Sequence, residues 1–295
     1  MVKQSLLLRN KTGITALILA KNEEKNLPQC LESVAWVEEI IVVDDESTDK
    51  TVSLAKEAGA KVYQRKLDDF ASQRNFALSK VKTEWVFLID PDETMPLKLK
   101  EEILQAMKLK GFTGFYFPRK NIIFGQGIKH SGWSPDHQLH FFRNKKGKYV
   151  GKVHERVEVK GQVGYLKTPL IHENYQSITQ YLEKLIHYTE LEAEKQIKLG
   201  YKFSWPDLIQ KPLDEFLRRY FAEEGYKEGI HGLALGLLQS FSELTVYLRI
   251  WEKEGFPSGP TKNVFSQLEK AMSQLEHWLA KTGKNPIKKI LRKLK

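Results

Sequence analysis

Short apolar runs and amphipathic segments alternate between residues 14 and 110. The apolar runs predict strands, and the segments between them predict helices. The strands are Ile14–Leu19, Ile40–Val43, Lys61–Gln64 and Trp85–Ile89, and the helices are Glu24–Val34, Thr48–Ala58, Ala71–Lys80 and Leu97–Met107. Strands and helices in alternation predict right-handed crossovers and a mainly parallel sheet. The expected fold class is therefore α/β.

The pattern changes after residue 110 and again after residue 175. Aromatic residues mixed with glycines predict further strands and a hairpin up to residue 175, whereas amphipathic stripes predict helices from Ser177 onward. We therefore expect a sheet domain over residues 1–175 and a helical, amphipathic, basic region over residues 176–295. The helix predicted at Ile230–Trp251 is the most apolar, but polar residues interrupt it, and a spanning helix needs about 20 largely uncharged residues. We expect it to be interfacial or packed against its neighbours.

Three of the predicted strands end in polar clusters. The first strand runs into Ala20–Glu24, the second into Asp44–Asp49 and the fourth into Asp90–Glu93. In an open α/β sheet the carboxyl ends of parallel strands meet at one edge, and ligands bind there. The three clusters together therefore predict one nucleotide pocket.

Asp90 and Asp92 suggest a metal site within these clusters. They follow an unbroken apolar run and are two residues apart, so an extended chain points both carboxylates to the same side. Such oxygen ligands suit Mg²⁺ or Mn²⁺ holding a substrate diphosphate. The alternative is an acidic turn or a helix N-terminus without any ligand.

Composition and charge restrict the partners and the location. The net charge is +10, and the stretch from Lys281 to Lys295 contains basic residues but no acid, which indicates an anionic partner such as a membrane surface. Cys30 is the only cysteine, which excludes an intrachain disulfide and fits a reducing compartment. The N-terminal apolar run is too short for a signal peptide, so a cytoplasmic protein is expected. No dinucleotide or P-loop motif is present, and no nucleic-acid-binding motif accompanies the charge.

Four sequence blocks resemble a known enzyme family. LILAKNEE, IVVDDESTDKT, FASQRNFAL and WVFLIDPDE, in this order and spacing, are similar to family 2 glycosyltransferases of the GT-A fold. The resemblance covers residues 14–175 and is closest to the lipopolysaccharide core β-1,4-glucosyltransferase-like branch, which shares the GW-x-x-D and VHE blocks. It implies a mixed GT-A sheet flanked by helices, a nucleotide-diphospho-sugar donor and a Mn²⁺ or Mg²⁺ cofactor.

The resemblance also implies roles for individual residues. Ala20, Asn22, Glu24 and Asp45 would hold the nucleoside, Arg74 would reach the uracil or the phosphates, Asp90 would lie on the ribose side and near the metal, and Asp92 would bind the metal. Arg74 also suits its role chemically, because a planar guanidinium binds phosphate oxygens in pairs. The alternative for Arg74 is a solvated helix face.

Asp136 is the candidate general base. Glycosyl transfer with inversion needs a carboxylate that removes the proton of the acceptor hydroxyl as this hydroxyl attacks C1 of the sugar. Asp136 matches the family's position for this acid loosely, and the alternative is a turn residue after Pro135. Trp133 nearby would stack on a sugar face or belong to the core.

Two histidines are candidates for a third metal ligand. His154, in VGKVHERVEV, would complement the two carboxylates as a neutral imidazole, or would be a core histidine bonded to the backbone. The same two interpretations apply to His172 in PLIHENY. We expect His130, His137 and His140 to be structural.

The main hypothesis is an inverting, metal-dependent glycosyltransferase. It would move a sugar from a nucleotide-diphospho-sugar, expected to be UDP-linked, to a lipid-linked or lipopolysaccharide acceptor. The basic, amphipathic tail Pro286–Lys295 would attach it to the inner face of the cytoplasmic membrane, or would be a frayed terminus. The alternative function is a non-catalytic module that binds nucleotide-sugar or anionic lipid. An oligomer is compatible with either function.

Overall fold

The structure, a computed structural model, describes residues 11–151, 156–259, 261 and 263–281. Contacts divide the chain into two units. The first runs to Ile122 and also includes Pro135–Asn174, whereas the second contains Ile123–Ser134 and resumes at Tyr175. The segment 123–134, which we expected in the sheet domain, therefore groups with the helices.

The strands and helices of the sheet follow the predicted alternation. In chain order the described strands are β1 (Ile14–Ala20), β2 (Glu39–Asp44), β3 (Lys61–Gln64), β4 (Trp85–Leu88), β5 (Glu93–Thr94), β6 (Phe112–Ile123), β7 (Gln126–Gly127), β8 (His137–Arg143), β9 (Gly147–Val150), β10 (Arg156–Val159), β11 (Gln162–Tyr165) and β12 (Leu170–Tyr175). The helices of the first unit are α1 (Leu27–Ser33), α2 (Thr51–Glu57), α3 (Phe70–Ser79) and α4 (Leu97–Ala106).

The main sheet is mixed. Its strand order is β3-β2-β1-β4-β8-β6-β12-β5, and β11 pairs with β6. Strands β3, β2, β1 and β4 are parallel, whereas β8 pairs antiparallel with both β4 and β6. The register places Ala20 opposite Asp44, so β1 and β2 end at the same edge. The predicted fold class, an α/β fold with a mixed sheet flanked by helices, is confirmed.

Both faces of the sheet are buried, which explains the unbroken apolar runs of its strands. Ile14, Ala16 and Ile18 of β1 belong to a core cluster that includes residues of α1 and α4. Leu17 of the same strand belongs to a second cluster with residues of α3. Successive residues of a strand point to opposite faces, so one strand contributes to both clusters.

Two helices begin three residues later than their sequence pattern predicts. α1 begins at Leu27 instead of Glu24, and α2 begins at Thr51 instead of Thr48. The polar residues before each helix bond to the other loop instead of entering the helix. α3 begins at Phe70, where the Asp69 carboxylate accepts a hydrogen bond from the Ser72 N–H and caps the helix.

The second unit is helical apart from its hairpin segment. Its helices are α5 (Ile178–Lys198), α6 (Asp207–Leu217), α7 (Ile230–Lys253) and α8 (Val264–Lys281), with a π-helical turn at Arg218–Ala222 and a 3₁₀ turn at Gly225–Glu228. Ala193 of α5 packs with Val246, Tyr247 and Ile250 of α7. Within the described residues, no helix combines the length and the apolar character needed to cross a bilayer.

Candidate active site

The loops that follow β1 and β2 hold each other. The Asn22 side-chain oxygen accepts a hydrogen bond from the Thr48 N–H (2.8 Å), and the Asn22 N–H donates to Ser47 Oγ (2.9 Å). Glu24 Oε2 accepts from the Lys50 N–H at 3.1 Å. The polar residues at these two strand ends therefore lie together, as the sequence predicts.

The first loop does not continue the extended conformation of β1. The extended chain ends at Ala20, and Asn22 adopts a φ of 55°, a region in which asparagine is favoured over most residues. Ala20, Asn22 and Glu24 therefore do not share one side of a continuing strand. Asn22 and Glu24 instead face the second loop, whose N–H groups donate to Asn22 Oδ1 and Glu24 Oε2.

Asp45 and Asp44 lie at the end of β2 in different environments. Asp45 pairs with Lys21 (2.7 Å) and accepts from the Leu67 N–H (2.8 Å). Burial raises the pKa of Asp45, but the bonds from Lys21 and Leu67 outweigh it and leave the pKa below its usual value. Asp44 is fully buried, and its Oδ1 has no hydrogen-bond partner among the described residues.

Arg74 of α3 faces the first acid after β4. Its Nη2 lies 3.5 Å from Asp90 Oδ1, and its guanidinium lies over the Tyr149 ring at 5.3 Å from the ring centroid. Burial raises the pKa of Asp90, but the positive charge of Arg74, with a smaller contribution from Arg119, lowers it to about 2. Asp90 is therefore an ionised carboxylate with a guanidinium beside it. Arg74 lies at this site and not on a solvated helix face.

Asp92 faces His172 across two paired strands. β5 and β12 pair antiparallel with His172 opposite Glu93, and the Glu173 N–H donates to the Asp92 carbonyl. This register brings His172 Nε2 to 3.5 Å from Asp92 Oδ2. Both side chains are largely buried, so the pair is fixed by the sheet and not by a flexible loop.

A chain of hydrogen bonds assigns the tautomer of His172. Asp136 is an ionised carboxylate that only accepts, so the Asn121 amide nitrogen must face Asp136 Oδ2 (3.3 Å). The Asn121 oxygen then faces His172 Nδ1 at 2.7 Å, and Nδ1 must donate. In the neutral ring, the lone pair of Nε2 consequently points toward the Asp92 carboxylate. This is the arrangement in which a second partner orients a histidine for a metal.

The donor set of Asp92 and His172 fits a divalent cation such as Mn²⁺. A carboxylate oxygen and an imidazole nitrogen lie 3.5 Å apart, close enough for one cation to bind both, and both groups are ligands that Mn²⁺ accepts. The described residues contain no cluster of three His, Cys, Asp or Glu side chains that could hold a metal. His154 lies outside the described residues, so its predicted role stays a prediction.

Asp136 is held by three donors. Arg119 Nε donates to Oδ2 (2.7 Å), Asn121 Nδ2 donates to the same oxygen, and Gln138 Nε2 donates to Oδ1 (2.5 Å). Burial raises the pKa of Asp136, but Arg119 and the amide donors outweigh it and lower the pKa below its usual value. The carboxylate is therefore charged at neutral pH, as a proton acceptor must be.

Glu93 shares Arg119 with Asp136. Arg119 Nη1 lies 3.3 Å from Glu93 Oε1, while Glu93 Oε2 accepts from the Asp90 N–H at 2.9 Å. The Glu93 side chain is 0% exposed. Burial, reinforced by the negative charge of Asp90, raises its pKa to about 8 in spite of Arg119. Near neutral pH, Glu93 is therefore largely protonated, and the charge of Arg119 is directed mainly to Asp136.

A polar cavity of about 360 Å³ adjoins these residues. Arg74, Asp90, Arg119, Gln138 and His140 are among the residues that line it. Burial and the charges of Arg74 and Arg119 lower the pKa of His140 to about 3, so its imidazole is neutral. With Arg156, the cavity thus combines three guanidiniums with a carboxylate, an amide and the neutral imidazole of His140, a set of groups suited to phosphates and sugar hydroxyls.

A known protein family matches the part of the chain that contains the sheet, the loops at its strand ends and the acids after β4. The family described as Glycosyl transferase family 2 matches residues 15–172, which is more than half of the chain. The chain belongs to this family. The resemblance found in the sequence blocks is thereby confirmed, and the protein is a family 2 glycosyltransferase.

Characterised and uncharacterised relatives cover most of the chain. The lipopolysaccharide core biosynthesis glycosyltransferase LpsC of Rhizobium meliloti is 27% identical over 259 residues, which span 85% of this chain and 96% of LpsC. An uncharacterized glycosyltransferase of Rickettsia typhi is 28% identical over 243 residues, spanning 78% of this chain and 83% of the relative.

A solved glucosyl-3-phosphoglycerate synthase from Mycobacterium tuberculosis, in complex with Mn²⁺, UDP and glucosyl-3-phosphoglycerate, is more distant. It is 21% identical with a TM-score of 0.32, and the match covers 41% of this chain and 47% of that chain. A likeness of this extent carries no argument about the site of this family 2 enzyme.

The first unit of this glycosyltransferase contains every described residue that we predicted for the site. Ala20, Asn22, Glu24 and Asp45 lie at the ends of β1 and β2, Arg74 lies beside Asp90, and Asp92 and Asp136 lie after β4 and before β8. Trp133 belongs to the second unit, where its ring packs edge-on against Tyr175 and below Arg219. This packing favours the core interpretation of Trp133 over sugar stacking.

Sequence reasoning missed three residues of the site and left His172 undecided. Arg119 and Asn121 of β6 and the buried Glu93 were not singled out, although they connect the acids to one another. Arg119 and Asn121 are two residues apart in β6 and the residue between them, Lys120, is exposed, so two polar residues on the buried side of a strand were the available signal. Glu93 stood in the acidic cluster but carried no motif of its own.

Proposed function

We propose that the protein is an inverting, metal-dependent transferase that moves a sugar from a UDP-linked donor to a lipopolysaccharide or other lipid-linked acceptor. The relationship to LpsC supports an acceptor of the lipopolysaccharide core class. An acceptor of this class would be met at the inner face of the cytoplasmic membrane, where we propose that the reaction takes place. The basic tail that would assist attachment lies outside the described residues.

The observation that carries this proposal is a continuous row of four side chains. Asp92 faces His172, His172 bonds to Asn121, and Asn121 bonds to Asp136. One end of the row provides a carboxylate and an imidazole for a divalent cation, and the other end provides an ionised carboxylate for a proton. A transferase with inversion needs both functions close to one donor sugar.

Asp136 would take the proton of the acceptor hydroxyl at Oδ1. Oδ2 already accepts from Arg119 and Asn121, whereas Oδ1 accepts only from Gln138 in the bonds described here. A carboxylate oxygen has two lone pairs, so Oδ1 keeps one for the hydroxyl. Arg119 keeps the carboxylate ionised and fixes its plane while the hydroxyl attacks.

The donor would lie along the carboxyl edge of the sheet. Asp45 follows β2 at the edge where a base or a ribose would bind, and Arg74 lies beside Asp90 at the wall of the cavity. The positive charge of Arg74 would stabilise a diphosphate leaving group. A divalent cation held by Asp92 and His172, with Asp90 nearby, would neutralise the same group.

Donor hydrolysis by the purified protein tests the proposal. UDP-sugars and other nucleotide-sugars are offered with Mn²⁺ or with EDTA, and release of the nucleoside diphosphate is measured. We expect hydrolysis of one donor class with Mn²⁺ and little with EDTA. Binding of a nucleotide-sugar without any release would favour the non-catalytic alternative. Equal turnover in EDTA would remove the metal from the mechanism.

Substitutions in the row of side chains test its two ends separately. Asp92→Asn and His172→Gln should lower Mn²⁺-dependent turnover by about 100-fold or more and raise the Mn²⁺ concentration needed for half-maximal activity. Asp136→Asn should lower turnover without changing the Mn²⁺ requirement. Asp214→Asn, an exposed acid on α6, serves as the matched control. Unchanged metal dependence in both Asp92→Asn and His172→Gln would show that the cation binds elsewhere.

A further inference from the structure

Helix α7 is apolar on nearly all sides. From Ile230 to Leu248 it contains one charged residue, Glu243, and its first Lys or Arg is Arg249. A helix that is hydrophobic all round is normally buried, because no side of it is suited to water. Two sides of α7 meet this expectation, since Val246 and Ile250 pack with Ala193 of α5, and Gly236 lies against the Phe216 ring of α6.

A third side of α7 is largely exposed. Its apolar residues are spaced four and three apart in alternation through the whole helix, and we call them the α7 stripe: Ile230, Ala234, Leu237, Phe241, Leu244, Leu248 and Trp251. Ile230 is 74% exposed, Leu237 55% and Phe241 50%. None of the seven is buried. Exposed side chains of this size in a continuous row mark an interaction surface.

The spacing of the α7 stripe indicates a helix as its partner. Apolar residues that alternate at three and four positions form the seam along which two helices pack knobs into holes. The pattern continues without a polar residue, and its positions from Ile230 to Leu248 can act as knobs, whereas Trp251 at its end already packs against Phe203 and Phe256. Because every residue of the stripe is apolar, the stripe of a second copy can pack against it.

Charge argues against a lipid surface as the partner of the α7 stripe. Helices that lie on anionic membranes carry Lys and Arg beside their apolar face. α7 has neither before Arg249, and its one charged residue in that span, Glu243, is an acid. Its remaining sides pack against α5 and α6 instead of forming the charged face that such helices present to water.

We propose that the α7 stripe is a homodimer interface, in which α7 of one copy packs along α7 of a second copy about a two-fold axis. Counting the stripe and the half-exposed leucines beside it, the contact would remove roughly 1,000 Å² of surface in total, which is at the low end for specific interfaces. The dimer is therefore expected to dissociate in the micromolar range rather than to be permanent.

Sedimentation velocity of the full-length protein over a range of micromolar concentrations tests the interface. The wild type should shift from the 34.2 kDa chain toward twice this mass as its concentration rises. Leu237→Glu and Phe241→Glu should each raise the dissociation constant at least tenfold, because each places a charge in the seam. Both positions are exposed in the monomer, so thermal unfolding should be little changed and reports whether the variants fold.

Leu199→Glu is the matched control. Leu199 is 74% exposed, as Ile230 is, but it follows α5 and is not part of the α7 stripe. It should dimerise like the wild type. A wild type that stays monomeric throughout, or α7 variants that dimerise like the control, would overturn the proposal. So would a monomer whose binding to anionic vesicles is lost in Leu237→Glu, since the stripe would then serve lipid.

Discussion

The buried Glu93 makes the stability of this glycosyltransferase depend on pH. Its pKa rises from 4.5 to about 8 in the folded chain, so between these values the folded state retains a proton that the unfolded state has lost. Stability therefore falls as pH rises through this window, by about 1.4 kcal/mol per pH unit for one such group. Glu93→Gln keeps the shape and the acceptor for the Asp90 N–H but cannot ionise.

The comparison of wild type and Glu93→Gln isolates this effect. The free energy of unfolding is measured with urea in EDTA at about pH 5.5, 6.5 and 7.5. The difference between Glu93→Gln and the wild type should shift by roughly 3 kcal/mol in favour of Glu93→Gln from the lowest pH to the highest. Other titrating groups contribute equally to both proteins and cancel. Glu101→Gln, at an exposed position of α4, should show the same pH dependence of the free energy of unfolding as the wild type. Parallel curves for wild type and Glu93→Gln would show that Glu93 is ionised in the folded chain and would refute the reasoning.

Three further substitutions test the packing of the chain. Gly232→Ala should destabilise the second unit by about 3 kcal/mol or more in urea unfolding, because a Cβ there would collide with the Gly225 carbonyl, whereas Gly259→Ala, with open space around it, should not. Asn22→Ala should cost about 1–3 kcal/mol in the same assay, because it loses a loop–loop hydrogen bond and leaves alanine at a positive φ. Trp85→Ala should cost about 3–5 kcal/mol and lower the melting temperature clearly, because this fully buried ring stacks on two phenylalanines.

The strands were predictable because the sheet is buried on both faces. Runs such as Trp85–Leu88 contain no polar residue, so their limits are clear in the sequence. The strand Lys61–Gln64 has the same first and last residues in the structure as in the prediction. The helix starts were less predictable, since Glu24 and Thr48 look like the beginning of a helix in the sequence. Their hydrogen bonds to the opposite loop depend on the β1–β2 register, which no local pattern encodes.

The site was predictable to the extent that its residues follow strands. Asp90 and Asp92 come directly after an apolar run, which made them visible. Arg119 and Asn121 reach the acids only because β6 pairs with β8, a contact between segments far apart in the sequence. His172 could not be assigned from the sequence for the same reason. Its meeting with Asp92 depends on the pairing of β5 with β12.

The segment 123–134 shows a different limit of sequence patterns. Its glycines and aromatic residues predict a hairpin of the sheet domain, yet Ile123 and Ile128 pack with Leu235 of α7. Apolar residues in a turn-rich segment indicate that a core exists, but they do not indicate which core. Only the identity of the partner, here a helix about one hundred residues later, decides the unit to which the segment belongs.

The reciprocal bonding of the loops after β1 and β2 has a consequence for the evolution of the proposed donor pocket. Asn22 and Glu24 bond to backbone N–H groups of the second loop, and the N–H groups of both residues donate back to its side chains. If either loop changed its length or path, polar groups of the other loop would lose their hydrogen-bond partners. We therefore expect differences in donor preference between related enzymes to arise from other side chains. Lys66 and Gln64, at the end of β3, are examples, because they do not bond these two loops to each other.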